Sequence, residues 1–364
     1  MDNEADRRPG EARKSGRRGG GRPTIADVAR LAGVGAITVS RALRDPSHVS
    51  QSLRDRISDA IAKLGYVPDS NARALASSRA DVIGVLVPSL TNIVFADVLR
   101  GIYDELGSAQ LQIQLGNTHY SVEEEERLVR MFLSQRPTAL IVAGIDQNAS
   151  TRLMLENAGC PIVQIMETTN DPIDMLVGFS QLEGGRTATT HLIQAGYRRI
   201  GFLGARMDPR SQRRLSGYVQ AMTEAGLFDP ELMVTTPQSS SVTLGSRLLH
   251  ETLSRRPDLD AVFCNNDDLA LGVLFACQHL GIDVPTRLGI CGFNDLEMMS
   301  AAVPALTSIS TPRYTIGRTA VSMIQARLAG HSDFTASVDL GFEAKPRAST
   351  GIGEFALDPD PALS

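Results

Sequence analysis

VIGVLVPSLTNIVFADVLRGI, residues 82–102, decides how the larger part of this chain folds. An uninterrupted apolar run of strand length (82–87) leads through a turn into a helical segment around 94–108. The same grammar repeats. LQIQL (111–115), ALIVAG (139–144) and PIVQI (161–165) are further strand-length runs, separated by helical segments around 122–135 and 149–158. After MLVGFS the cycle restarts with RIGFLG (199–204), LMVTT (232–236), DAVFCN (260–265) and LGICGF (288–293). Runs this hydrophobic do not suit a sheet with one wet face, so they predict parallel sheets covered by helices on both sides. The alternation fills two halves of similar size. It predicts two doubly wound α/β subdomains sharing a cleft, the usual seat of a small ligand.

Upstream the grammar is different. From Thr24, an N-cap with Asp27 in the first turn, Ile25, Val28 and Leu31 recur at helical spacing until Gly33. A second short helix, GAITVSRAL, ends at Asp45-Pro46, because proline disfavours helical geometry in the residue before it. Ser50 is placed to cap a third, LRDRISDAIAKLG, closed by Gly65. Three short helices within about 40 residues, with a Gly-centred turn between the first two, fit a helix-turn-helix. Its second helix would lie in a major groove, where Ala36 and Ile37 offer apolar contact and Arg41 a bidentate contact to guanine. Thr24, Thr38, Ser40 and Ser50 suit phosphate contacts that set register without reading sequence.

Charge separates the same two regions. The 364 residues, enough for two or three domains, carry 36 Lys+Arg and 41 Asp+Glu, a net charge of -5. Residues 1–80 hold 15 basic and 9 acidic side chains, whereas residues 81–364 hold 21 and 32. A basic head on an acidic core points to nucleic acid at one end only. Residues 1–22 are Arg- and Gly-rich with almost nothing apolar, and read as a disordered basic tail. The opening MDNEADRRPGEARKSGRRGGGRP has no apolar core of the kind a secretory leader needs, and no run of 18 apolar residues occurs. A cytoplasmic, nucleoid-associated protein without membrane contact is expected. Cys160, Cys264, Cys277 and Cys291 form no CxxC pair, and those in AVFCN and LGICGF read as small buried hydrophobes. Glu123–Glu126 open a helix behind Ser121, where acids favour the dipole rather than a metal. No P-loop and no GxGxxG after a strand occurs, and no nucleophile constellation surrounds His119 or His191. Neither cofactor, metal nor catalysis is expected.

The stretch from TIADVARLAGVGAITVSRAL to SSRADVIGVLVP (24–88) resembles the head and hinge of the LacI/GalR family of bacterial repressors. The likeness continues through CNNDDLALG (264–272) and GFNDLEMMSAAVPALTSISTP (292–312), covering about residues 24–350. Gly35-Ala36 departs from it, because relatives commonly carry a Ser and a larger polar residue there; the operator sequence is therefore not legible. The resemblance implies a hinge helix that forms on the operator and inserts a leucine from each subunit of a dimer into the minor groove. Leu75 matches that leucine, with Asn71 and Arg73 beside it; such a wedge unstacks a base step and bends the duplex. The implied division is a tail (1–22), a helix-turn-helix domain (23–67), a hinge (68–80), a core (81–350) and a second tail (351–364). Within the core, subdomain one takes about 81–178 and 311–333, and subdomain two about 179–310 and 334–350.

The informative core stretch is GARMDPRSQRRLSGY (204–218), with Arg206, Arg210, Arg213 and Arg214 beyond the carboxyl end of a strand. Arginine forks suit carboxylate or phosphate. By resemblance Arg214 is the effector-binding arginine, Asn266 and Asp267 bond sugar hydroxyls, and Phe95 lines the far side. Asn294 stands where many relatives carry Asp, which removes a negative charge and suits an anion. PSLTNIVFADVLRGI, VGFSQLEGGR and YRRIGFLGAR are most similar to the gluconate-operon repressors within the family. The implied function is a homodimeric repressor of sugar-acid catabolism that binds double-stranded operator DNA and is released by gluconate or 6-phosphogluconate. A ketogluconate or neutral-sugar effector is the alternative, and a sugar-binding transport protein the remoter one.

Overall fold

The computed structural model describes residues 23–66, 81–107, 111–331 and 335–351. The tail 1–22, the hinge positions Asn71, Arg73 and Leu75, and the stretch 352–364 lie outside the described residues. The chain divides into two compact units between Ser77 and Ser78.

The first unit contains helices α1 (Ile25–Ala32), α2 (Ala36–Arg44) and α3 (Gln51–Leu64), with a single 3₁₀ turn at Pro46–His48. A capping box opens α1: Thr24 Oγ1 accepts from Asp27 N, and the Asp27 carboxylate accepts from Thr24 N at 2.9 Å. Gly33, in the left-handed region at φ +66, ends it, and Arg56 of α3 donates to the Ala32 carbonyl at 2.5 Å. Val28, Ala29, Ala32, Val39, Ile57 and Ala60 form the small core. Ser50 occupies the N-cap position of α3 but makes no capping bond; its hydroxyl lies 3.5 Å from that of Ser52.

The second unit is built on two six-stranded sheets. Strands β1 (Val82–Val87), β2 (Gln112–Asn117), β3 (Ala139–Ala143), β4 (Ile162–Ile165) and β5 (Met175–Gly178) belong to the first sheet. Strands β6 (Ile200–Ala205), β7 (Met233–Thr236), β8 (Ala261–Cys264), β9 (Gly289–Asn294) and β10 (Thr307–Ser310) belong to the second. Two short strands complete them. β11 (Ser337–Asp339) pairs parallel with β5, and β12 (Glu343–Lys345) pairs antiparallel with β10. The orders are β11-β5-β4-β3-β1-β2 and β12-β10-β9-β8-β6-β7. Strand side chains alternate between two helix layers: Ile83, Val85 and Val87 join one apolar cluster, and Leu86 the other.

The chain passes between the sheets three times, after β5, after β10 and between β11 and β12. The last passage corrects the sequence division at 333/334. β11 returns to the first sheet, because backbone pairing with Leu176–Gly178 decides its place rather than its weak apolar pattern. Among the described residues no helix is long and apolar enough to cross a membrane.

Candidate functional site

On the head, Ala36, Ile37 and Arg41 of α2 are exposed; Ile37 is 78% exposed while Val39 is fully buried. Positions 37 and 41 lie one turn apart on one face. Thr24 and Ser50 are exposed, and Thr38 and Ser40 half-buried. The Ile37 and Arg41 side chains are therefore both open to solvent on that face.

In the core, a cavity opens beyond the carboxyl ends of both sheets, with about 480 Å³ of space that is partly open solvent. The first-sheet side contributes Asn92, Phe95, Tyr120 and Met166, and the second-sheet side Arg206, Asp208, Arg210, Arg214, Asn266 and Asn294, with hydroxyls from Ser211 and Ser240. Helix α4 (Ile93–Leu106) starts from the Asn92 cap, whose Oδ1 accepts from Val94 N at 3.0 Å, and so presents Phe95. Helix α8 (Pro209–Glu224) is capped by Asp208 and carries Arg210 and Arg214 one turn apart. Numbering between these follows the chain: α5 (Val122–Ser134), α6 (Ala149–Glu156) and α7 (Gln181–Gln194).

Each arginine is fixed differently. Arg214 is buried: Nε donates to Gln181 Oε1 at 2.7 Å, Nη1 to the Asn265 carbonyl at 2.5 Å, and the guanidinium stacks on Phe293 at 3.8 Å. Burial lowers its pKa to about 10, so it remains a cation at neutral pH. Arg210 lies over Phe95 (5.4 Å) and pairs with Asp208 at 3.1 Å. Burial alone would raise the Asp208 pKa, but Arg210, the Ser211 amide and Arg214 bring it below the usual carboxylate range. Arg206 stacks on Tyr120 at 3.9 Å and donates to Ser239 at 2.7 Å. Arg213 points elsewhere, to Asp146 at 2.5 and 2.9 Å and toward Glu167 at 3.6 Å, joining the two halves. Three cations facing one carboxylate make the cavity electropositive.

Among the described residues, eight non-glycine positions have positive φ, and Tyr120, Met166, Arg206 and Asn294 among them line this cavity. Such conformations cost about 1–3 kcal/mol each and persist where the surroundings over-determine them, typically at binding sites. The Asn294 carbonyl oxygen Oδ1 is buried without a hydrogen-bond partner, although the residue is only 5% exposed.

The structure thus brings Phe95, Arg210, Arg214, Asn266 and Asn294 to one cavity and leaves Asp267 out of its wall. Asp267 is fully buried; its carboxylate accepts from Leu296 N and Ser308 Oγ, both at 2.7 Å, and burial pushes its pKa up to about 6. It faces inward as the first residue of helix α10 (Asp267–Leu280), the next helix after α9 (Val242–Arg255), while the adjacent N-cap Asn266 lines the cavity. Asn92, Tyr120, Met166, Asp208, Ser211 and Ser240 were not singled out from the sequence. Four of them, Asn92, Tyr120, Met166 and Ser240, follow the carboxyl ends of β1, β2, β4 and β7, a rule that applied to every strand would have found them. Among the described residues no group of three His, Cys, Asp or Glu is placed to hold a metal ion.

Residues 24–69 match the model of bacterial regulatory proteins of the lacI family, and residues 189–350 that of a periplasmic binding protein-like domain. The HTH-type transcriptional regulator GntR of Pseudomonas aeruginosa is 42% identical over 330 residues, covering 91% of this chain and 96% of the relative. A LacI-family transcriptional regulator from Silicibacter pomeroyi superposes with a TM-score of 0.85 at 36% identity, over 90% of this chain and 99% of that one. The Lac repressor dimer bound to operator and the anti-inducer ONPF superposes with a TM-score of 0.75 at 25% identity, over 90% and 99%.

Proposed function

Because the chain belongs to the LacI family of bacterial regulatory proteins, we propose that it represses sugar-acid catabolism genes and leaves its operator when a small anion such as gluconate or 6-phosphogluconate fills the core cavity. That it is a DNA-binding transcriptional repressor, and not an enzyme, follows from the family itself. The anionic effector is the finer step. One observation carries it: Arg206, Arg210 and Arg214 face a single carboxylate, and the buried acceptor left unpaired is the neutral amide of Asn294. An arginine fork takes the carboxylate or phosphate, and Asn294, Asn266 and Ser240 take hydroxyls. A neutral sugar would engage the same amides and hydroxyls but leave the arginine fork without a charged partner.

At the DNA, Ala36, Ile37 and Arg41 are read as base contacts, and Thr24, Thr38, Ser40 and Ser50 as phosphate contacts. Asn71, Arg73 and Leu75 are assigned to the hinge. A homodimer, as in the Lac repressor structure, presents two heads to half-sites about one helical turn apart. Effector binding changes the relation of the two subdomains, and coupling of about 1–3 kcal/mol shifts operator affinity about 5–150-fold.

A thermal-shift screen of the full chain against gluconate, 6-phosphogluconate, ketogluconates and neutral sugars tests the reading. Stabilisation by sugar acids alone is expected. A response confined to neutral sugars overturns the anion assignment, and a ketogluconate preference changes the effector but keeps its class.

A further inference from the structure

Behind the cavity wall lies a buried arginine that touches no guest. Arg313 opens helix α12 (Arg313–Leu328), after the short helix α11 (Glu297–Ala301), and is 9% exposed. Its Nη1 donates to the Asn294 backbone carbonyl and to Thr311 Oγ1 at 3.1 Å; its Nε donates to Asp97 Oδ2 at 3.0 Å. Asn294 stands at the end of β9 in the second sheet, and Asp97 on α4 beside the first. One side chain therefore bridges the two subdomains.

The site is a poor one for a cation on stability grounds. Helix N-termini repel positive charge, and burying a guanidinium demands compensation from its partners. What it holds is the peptide at Asn294–Asp295, where φ is +113 and +56 in succession. The Asp267 carboxylate holds the same turn from below, through Leu296 N and through Ser308, whose Oγ also accepts from Asp295 N at 3.1 Å. Asn294 is thus pinned by its backbone where the residue lines the cavity, and its buried Oδ1 has no protein donor.

The other end of the bridge is equally firm. A Cβ on Gly101 of α4 would meet the Tyr314 carbonyl at 2.1 Å, and one on Gly317 of α12 the Val98 carbonyl at 2.1 Å. These helices are in backbone contact, with no side chain between them at either glycine. α4 also carries Phe95 in the opposite cavity wall.

We propose that Arg313 is a positioning residue for effector recognition: it fixes the Asn294 amide by its carbonyl and ties that amide to α4 through Asp97, so that a guest bonded to Asn294 pulls on both subdomains. This rests on the reading of the cavity as an effector site.

The test is calorimetric titration of the full-length chain with gluconate and 6-phosphogluconate, using whichever binds the unaltered protein more tightly. Arg313→Gln is expected to weaken binding about tenfold, and Asp97→Asn to do likewise, while neither changes a cavity-lining side chain. In an Asn294→Ala background, Arg313→Gln should cost less than about twofold, since the amide it positions is gone. Arg313→Lys, which keeps the charge but loses the fork, serves if the glutamine variant does not fold, and should weaken binding in the same background-dependent way. Equal losses in both backgrounds would make Arg313 merely structural and overturn the proposal, as would unaltered affinity in the single variants. An unaltered chain that binds neither probe, nor a ketogluconate in their place, removes the anionic-effector reading of the cavity, and this inference with it.

Discussion

The two walls of the cavity are made of different materials. The first-sheet wall is Phe95, Met166, the Tyr120 ring and one amide, Asn92; the second-sheet wall is three arginines, one carboxylate, two amides and two hydroxyls. Phe95 is 2% exposed and belongs to the main apolar cluster, so this wall is the hydrophobic core breaking the surface. The arginine wall is held instead by specific bonds to Gln181, Asn265 and Asp208. One wall follows from folding. The other had to be built against the cost of burying charge.

That contrast predicts which property each substitution moves. Phe95→Ala should cost about 4 kcal/mol of stability, read by chemical denaturation, and change ligand affinity in the folded fraction less than about tenfold. A large affinity loss at unchanged stability would abolish the distinction between the walls. Arg214→Ala should cost about 3 kcal/mol of ligand binding, roughly a 150-fold loss by calorimetry, and remove the ligand response of operator binding. A retained response to gluconate would mean that another arginine is the anchor.

Asp267, behind the second wall, gives the smallest and most conditional effect. Burial raises its pKa from 3.8 to about 6, although hydrogen bonds from Leu296 and Ser308 oppose this. An acid with a raised folded-state pKa binds its proton more tightly when folded. Its contribution is therefore complete below about pH 4 and lost as pH rises through about 6. Relative to Asp267→Asn, the unaltered chain should lose on the order of 2 kcal/mol of stability between those limits. A difference that is flat with pH would mean that Asp267 titrates alike in the folded and unfolded chain.

Legibility in the sequence followed locality. Eight of the first nine core strands announced themselves as apolar runs, with MLVG at β5 read only as the boundary between the halves, whereas TSIS, SVD and EAK at β10, β11 and β12 did not. Those three are strands because neighbours supply hydrogen-bond partners, a non-local cause that leaves no pattern in the segment itself. The arginine cluster was visible, but not its division of labour. Arg210 and Arg214 share a helical face, while Arg213, turned about 100° from Arg214, meets Asp146 and Glu167. Asp267 differs from Asn266 by one position and is turned away from the cavity by the same geometry. Tyr120, Met166 and Asn92 come from separate strand ends and meet only in the folded chain.

The threefold passage of the chain between the sheets makes the halves inseparable by any single cut. Truncation after Gly178 would keep β1 to β5 but remove both β11, which completes that sheet, and α12, whose backbone rests on α4. No deletion from either terminus liberates one half intact, so an engineered or ancestral half-protein would need its coding segments rearranged, not merely shortened.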